Sequence, residues 1–164
     1  MKWWTVLAGV FALTSSVNAA GIDGAYDRVS LINVRTGEFP EAANRVGLLI
    51  FGQGHYAMLT MNPDRRVLSR DAAKSLPAAE KISYLEEWLD INAHSGRYEI
   101  DGDTLRWYRE FSEDPREVGS TTSLQWRTDG DLLILSFTLG NGDRYDWTWR
   151  RRSAAEATAD DDSK

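Results

Sequence analysis

The chain has no cysteine and, in 164 residues, only two histidines, His55 and His94. Lack of thiols excludes a cysteine nucleophile, a thiolate metal site and a disulfide, and two histidines make a multi-histidine metal site a poor expectation. No cofactor or metal is expected. Serine hydrolases carry a strained Gly-x-Ser-x-Gly elbow, and none occurs here. Positive charge is also in deficit. The formal net charge is −6 and the arginines are scattered rather than striped, which disfavours nucleic acid or an anionic membrane surface as a partner. Asp101, Asp103, Asp129, Asp131 and Asp143 resemble calcium-loop acids, but in short hairpins they serve turn geometry first.

Long apolar runs are missing except near the start. Lys2, the stretch Trp3 to Leu13 and the small-residue sequence Val17-Asn18-Ala19 read as a secretory signal over residues 1–19, cleaved before Ala20. The run is closed by Thr14, Ser15 and Ser16, below the roughly 20 residues a bilayer needs, so no integral membrane segment is expected after its removal. The expected location is periplasmic or secreted. Residues 153–164 are alanine-rich and acidic, with Glu156, Asp160, Asp161 and Asp162, and read as a disordered tail. Residues 20–152 remain as one domain, which must be stabilised by packing and strand pairing alone.

That domain reads as all-β. Strand candidates are Ala25–Val34, Val46–Phe51, His55–Met61, Arg97–Asp101, Thr104–Phe111, Thr121–Thr128, Leu132–Leu139 and Asp143–Arg151. Asp101-Gly102, Asp129-Gly130 and Asn141-Gly142 separate successive runs and supply the positive φ that tight hairpins demand. Eight such strands in up-and-down order favour a closed antiparallel barrel, because closure removes the exposed edges; a two-sheet sandwich is the rival. Pro77–Asn92 reads as one helix inserted between strands three and four, with Ala78, Ile82, Leu85, Leu89 and Trp88 on one face and Gly96 just beyond its end. Covering a barrel mouth and packing along the outer wall both fit it. His94 is placed at the helix end and His55 at the solvent-facing start of a strand.

Gly24-Ala25-Tyr26, Gly47-Leu48-Leu49-Ile50-Phe51, Gly54 to Pro63, Ser95 to Thr104 and Trp149-Arg150-Arg151, taken in order, resemble the bacterial and fungal lipocalin-like domain family. The resemblance implies a small barrel with an interior pocket; few members of that family have an assigned role, some as enzymes of secondary metabolism. It also implies a closing pair at one end, an aromatic residue of a Gly-x-Trp on the first strand beneath an arginine of the last. Here Tyr26, after Gly24, takes the tryptophan's place and Arg151 is the candidate arginine. Such a cation over a ring contributes about 0.5–2 kcal/mol.

Side chains alternate along a strand, so one inward residue sets its strand. Tyr26 inward carries Arg28, Ser30 and Ile32 with it; Tyr98 and Ile100, then Leu105, Trp107 and Arg109, then Leu124 and Trp126, then Leu133, Leu135 and Phe137, and finally Tyr145, Trp147 and Trp149 are the matching faces. On the third strand hydrophobicity does not choose between Tyr56, Met58, Thr60 and His55, Ala57, Leu59, Met61; the resemblance favours the Tyr56 set inside.

The ligand-lining candidates are therefore Arg28, Ser30, Tyr56, Met58, Tyr98, Trp107, Arg109, Trp126 and Trp147. The tryptophans either fill the core or line a pocket, since indole does both. Arg28 and Arg109 are the sharper clue. A guanidinium fork binds a carboxylate at two points, whereas the structural alternative is an internal ion pair with Glu99, Glu110 or another acid, or a side chain reaching the rim. The leading expectation is a protein that binds a small, partly apolar, carboxylate-bearing molecule inside the barrel. Two others stand beside it: an isomerase, cyclase or hydratase using Arg109 with Tyr98 or Tyr56, and a filled barrel that works by binding another protein. Oligomeric state is not legible.

Overall fold

In the computed structural model, which describes residues 21–38 and 44–153, eight antiparallel strands close into one barrel in sequence order, the last pairing with the first. They are β1 (Gly24–Asn33), β2 (Val46–Gly52), β3 (His55–Met61), β4 (Ile91–Asp101), β5 (Thr104–Ser112), β6 (Thr121–Asp129), β7 (Leu132–Thr138) and β8 (Arg144–Arg151). The expected signal, residues 1–19, and all of the expected tail, residues 153–164, except Ser153 lie outside the described residues. No helix among the described residues is long and apolar enough to cross a membrane.

The hairpin punctuation acts as its chemistry requires: Gly102 and Gly130 take φ of 61° and 60°, the left-handed conformation that residues with a Cβ avoid. The inner face is a continuous core including Tyr26, Leu49, Tyr56, Met58, Trp107, Leu124, Leu135 and Trp149. The Tyr56 set therefore does face inward on β3.

Four expectations need correction. β1 carries a bulge between Arg28 and Ser30, so Val29 is looped out and the alternation inverts: Leu31 pairs with Trp147 on the inner face, while Ser30 and Ile32 pair with Thr148 and Asp146 on the outer one. The helix, α2 (Ala78–Leu89), is shorter than expected, because Asp90 ends it and accepts through its carbonyl from Arg45 Nη2 at 2.9 Å. β4 then begins at Ile91, six residues before the expected Arg97, and pairs with β3 from Met61↔Ile91 to His55↔Arg97. His94 and Gly96 thus belong to a strand rather than a helix end. A short helix, α1 (Arg70–Ser75), precedes α2; Ser69 caps it by accepting from the Ala72 amide at 3.2 Å.

At Gly96 the β5 backbone leaves no room for a side chain. A Cβ there would lie 1.9 Å from the Tyr108 carbonyl oxygen, so glycine is required by contact, at a second bulge between Ser95 and Gly96. The helices stand at the same end as the start of β4, tied to the β2 entry by the Arg45–Asp90 ion pair. Tyr84 is the only buried residue of α2, and α1 has none. The expected apolar face of the helix, Ile82, Leu85, Trp88 and Leu89, is therefore not buried against the barrel.

Candidate ligand site in the mouth half of the barrel

One end of the barrel is closed by its own chain. Residues 21–23 cross it and place Ile22 at zero exposure; Tyr26 Oη donates to the Ile22 carbonyl at 2.7 Å and Tyr98 Oη to Asp23 Oδ1 at 2.5 Å. Arg151 donates from Nη2 to the Gly21 carbonyl at 2.8 Å and to Tyr26 Oη at 2.5 Å, and its guanidinium sits 4.8 Å from the centre of the Tyr26 ring. Burial, and then the bond to Asp23, push the Tyr98 hydroxyl pKa up, while burial raises Tyr26 against the opposing pull of Arg151. Trp126 belongs to this end too: its Nε1 donates to the Gly102 carbonyl at 3.2 Å and its ring approaches Gly21. Of the lining candidates, Tyr98 and Trp126 therefore build the floor, and Ser30 faces outward.

The remaining candidates, Arg28, Tyr56, Met58, Trp107, Arg109 and Trp147, lie above that floor. Tyr56 stacks on Trp107 with ring centres 4.8 Å apart and 12° between planes. Its hydroxyl is 3.0 Å from His94 Nδ1, and the His94 ring is 5.2 Å from Trp107. Burial, with the Arg109 charge adding to it, drives His94 down to about 3, so the imidazole is neutral; burial raises Tyr56 to about 12, so the hydroxyl stays protonated.

Arg109 reaches inward from β5 and donates from Nη1 to Thr122 Oγ1 at 2.6 Å and to Ser120 Oγ at 3.1 Å. Its acid is Glu117, with Nε 3.3 Å from Oε2 but not aligned for a hydrogen bond. Glu110 instead pairs with Arg97 at 2.9 Å, and Glu99 accepts from Tyr108 at 2.7 Å, both at the surface. Arg28 lies over Trp147, 5.7 Å from the ring centre, and passes close to Gly47, where a Cβ would come within 3.4 Å of its own. Burial first, and then Arg45, lower its pKa to about 10, leaving it cationic at neutral pH.

The wall is rich in donors. The indole Nε1 groups of Trp107, Trp147 and Trp149 are buried with no hydrogen-bond partner among the described residues, as is Asn92 Oδ1. Native proteins pair the large majority of such groups. His94, Asn92, Thr122 and Glu117 were missed by sequence reasoning. For the first two a signal existed, because Asn92, His94 and Gly96 run in phase with Tyr98 and Ile100; Glu117 sits in a loop and had none.

No family model matches the chain, and neither does any curated protein. Among solved structures, an uncharacterized protein from Bacteroides eggerthii DSM 20697 is 8% identical, covering 79% of this chain and 98% of its own with a TM-score of 0.44. A redesigned β-barrel is 12% identical over 80% of this chain and 91% of its own, with a TM-score of 0.42. Likeness at that level carries no functional argument.

Proposed function

We propose that this is an exported lipocalin-like protein that binds a small, partly apolar, carboxylate-bearing molecule in the mouth half of its barrel. The observation that carries this reading is the donor-rich inner wall: three buried indole N–H groups without an acceptor among the described residues, beside the inward guanidiniums of Arg109 and Arg28. Leaving a buried donor unmet costs about 1–3 kcal/mol, and a ligand with acceptor oxygens among aromatic rings removes that cost. Tyr56, Met58 and Trp107 are the apolar side chains packed beside this wall, and Arg28 and Arg109 supply the charge.

Native mass spectrometry of the protein purified gently from its own host, followed by denaturation and identification of what is released, tests this. A stoichiometric acidic compound is expected. An empty protein showing no thermal shift with a panel of acidic host metabolites overturns the reading and favours a filled barrel that acts through its surface. Export is tested by sequencing the mature N-terminus, expected at Ala20.

The Tyr56–His94 hydrogen bond supports a second reading, in which the bound molecule is isomerised, cyclised or hydrated with Tyr56 as the acid and Arg109 holding its carboxylate. Conversion of the released ligand by the purified protein, lost in Tyr56→Phe while binding persists, separates it from carriage alone.

A further inference from the structure

Between α1 and α2 runs a groove of about 500 Å³, within the ~300–1,000 Å³ typical of small-molecule sites, and separate from the barrel interior. Its apolar lining is Leu68, Ala73, Tyr84, Leu85 and Trp88, and its cations are Arg70, Lys74 and Lys81. The helix pair is held together by contacts that leave part of that lining open. Arg66 binds Glu87 at 2.6 Å and lies over Tyr84, Arg65 lies over Trp88 at 4.5 Å, and Lys81 Nζ donates to the Lys74 carbonyl at 2.8 Å. Leu85 and Trp88 nevertheless remain about half exposed.

The charge around this groove is not the chain's average. Lys74 and Lys81 are the only lysines between residues 3 and 163, in a chain of net charge −6, and both line it together with Arg70. Lys74 meets Asp71 only at 3.9 Å with both side chains largely exposed, and Lys81 has two N–H donors beyond the one given to Lys74. Glu87, an acid of α2, is already bonded to Arg66.

We propose that this groove is a ligand site for a single-chain anionic amphiphile, its acyl chain along Leu68, Leu85 and Trp88 and its acidic head among Arg70, Lys74 and Lys81. A concave apolar floor with cations at its rim matches a chain bearing one anionic end. A flat anionic bilayer matches less well, because the apolar lining is recessed between the two helices rather than set on a protruding face.

The test uses the mature protein and dodecanoate with a bromine on its chain, which quenches a tryptophan it touches. Quenching is expected, and Trp88→Phe is expected to remove most of it. Lys74→Glu, at an exposed side chain that holds neither helix to the other, is expected to weaken binding about fivefold or more. Dodecyl maltoside, with the same chain and no charge, is expected to compete poorly.

Quenching that survives Trp88→Phe places the amphiphile in the barrel and overturns the proposal. Equal binding of dodecyl maltoside, or binding to phosphatidylglycerol vesicles without binding of free dodecanoate, overturns it as well. The interior is read separately in the same samples by native mass spectrometry, so that loss of the groove signal with an interior ligand retained, or the converse, shows which of the two readings has failed.

Discussion

Tyr56 Oη and His94 Nδ1 lie 3.0 Å apart on the inner wall, joining β3 to β4 by a side-chain bond where both groups are almost wholly out of water. Burial holds the imidazole neutral, with a folded pKa of about 3 against an ordinary value of 6.5. In the unfolded chain the same histidine takes up a proton as pH falls through its ordinary range, whereas in the fold it does not. Stability tied to His94 is therefore fully present above pH 6.5 and is lost as pH falls from there towards 3.

The expected slope is about 1.4 kcal/mol per pH unit below roughly pH 6 from this one group. Urea unfolding at pH 7 and pH 5 measures it, and His94→Leu should flatten the difference. An equal slope in that variant assigns the pH response to other groups.

Arg109 is the best single test of the interior site, because its fork is anchored rather than loose. Arg109→Leu strands the Ser120 and Thr122 hydroxyls and releases Glu117, with an expected stability loss of about 1–3 kcal/mol. The acidic ligand should then be absent in native mass spectrometry. Arg109→Lys keeps the charge without the fork and should retain ligand only weakly. Full occupancy in both variants places the ligand elsewhere.

Sequence legibility differed sharply between strands and side-chain sets. Asp-Gly and Asn-Gly pairs marked the hairpins because positive φ is a local demand, and the barrel followed from counting them. The bulge at Val29 left no such mark. It depends on how β1 meets β8, and one unpaired residue moved Ser30 and Ile32 to the outside. The helix expected to run to Asn92 ends at Leu89, because Ile91 pairs with Met61 and opens a strand, a long-range contact that no local pattern marks. Arg28 was legible as inward, since it lies before the bulge; His94 became so only once β4 began in the right place.

Gly96 offers a prediction that separates contact from conformation. Its added Cβ would meet the Tyr108 carbonyl oxygen at 1.9 Å and the Glu110 amide nitrogen at 2.8 Å, both backbone atoms that move only with the strand. Gly96→Ala is expected to cost about 3 kcal/mol or more, as overpacking against fixed atoms does. Gly52→Ala, where nothing lies within 4 Å, should change stability by under about 1 kcal/mol. Urea denaturation of the pair checks both, and similar midpoints would mean that β4 and β5 separate easily at the bulge.

The closed end gives the last prediction. Tyr26 Oη both donates to the Ile22 carbonyl and accepts from Arg151, so Tyr26→Phe removes two bonds while keeping the ring, at an expected cost of about 1–3 kcal/mol. Arg151→Met removes the cation from over that ring and the donors to the Gly21 and Asp23 carbonyls. Because the two residues touch, their effects should not add, and a double-mutant cycle is expected to show a coupling of about 0.5–2 kcal/mol. The consequence reaches the site: this pair and the Tyr98–Asp23 bond supply polar ties that hold residues 21–23 across the floor. In the double variant amide hydrogen exchange should therefore rise first around Ile22, with the β3–β4 ladder at Tyr56 and His94 still protected. Exchange rising equally in both places would mean that floor and mouth open as one unit.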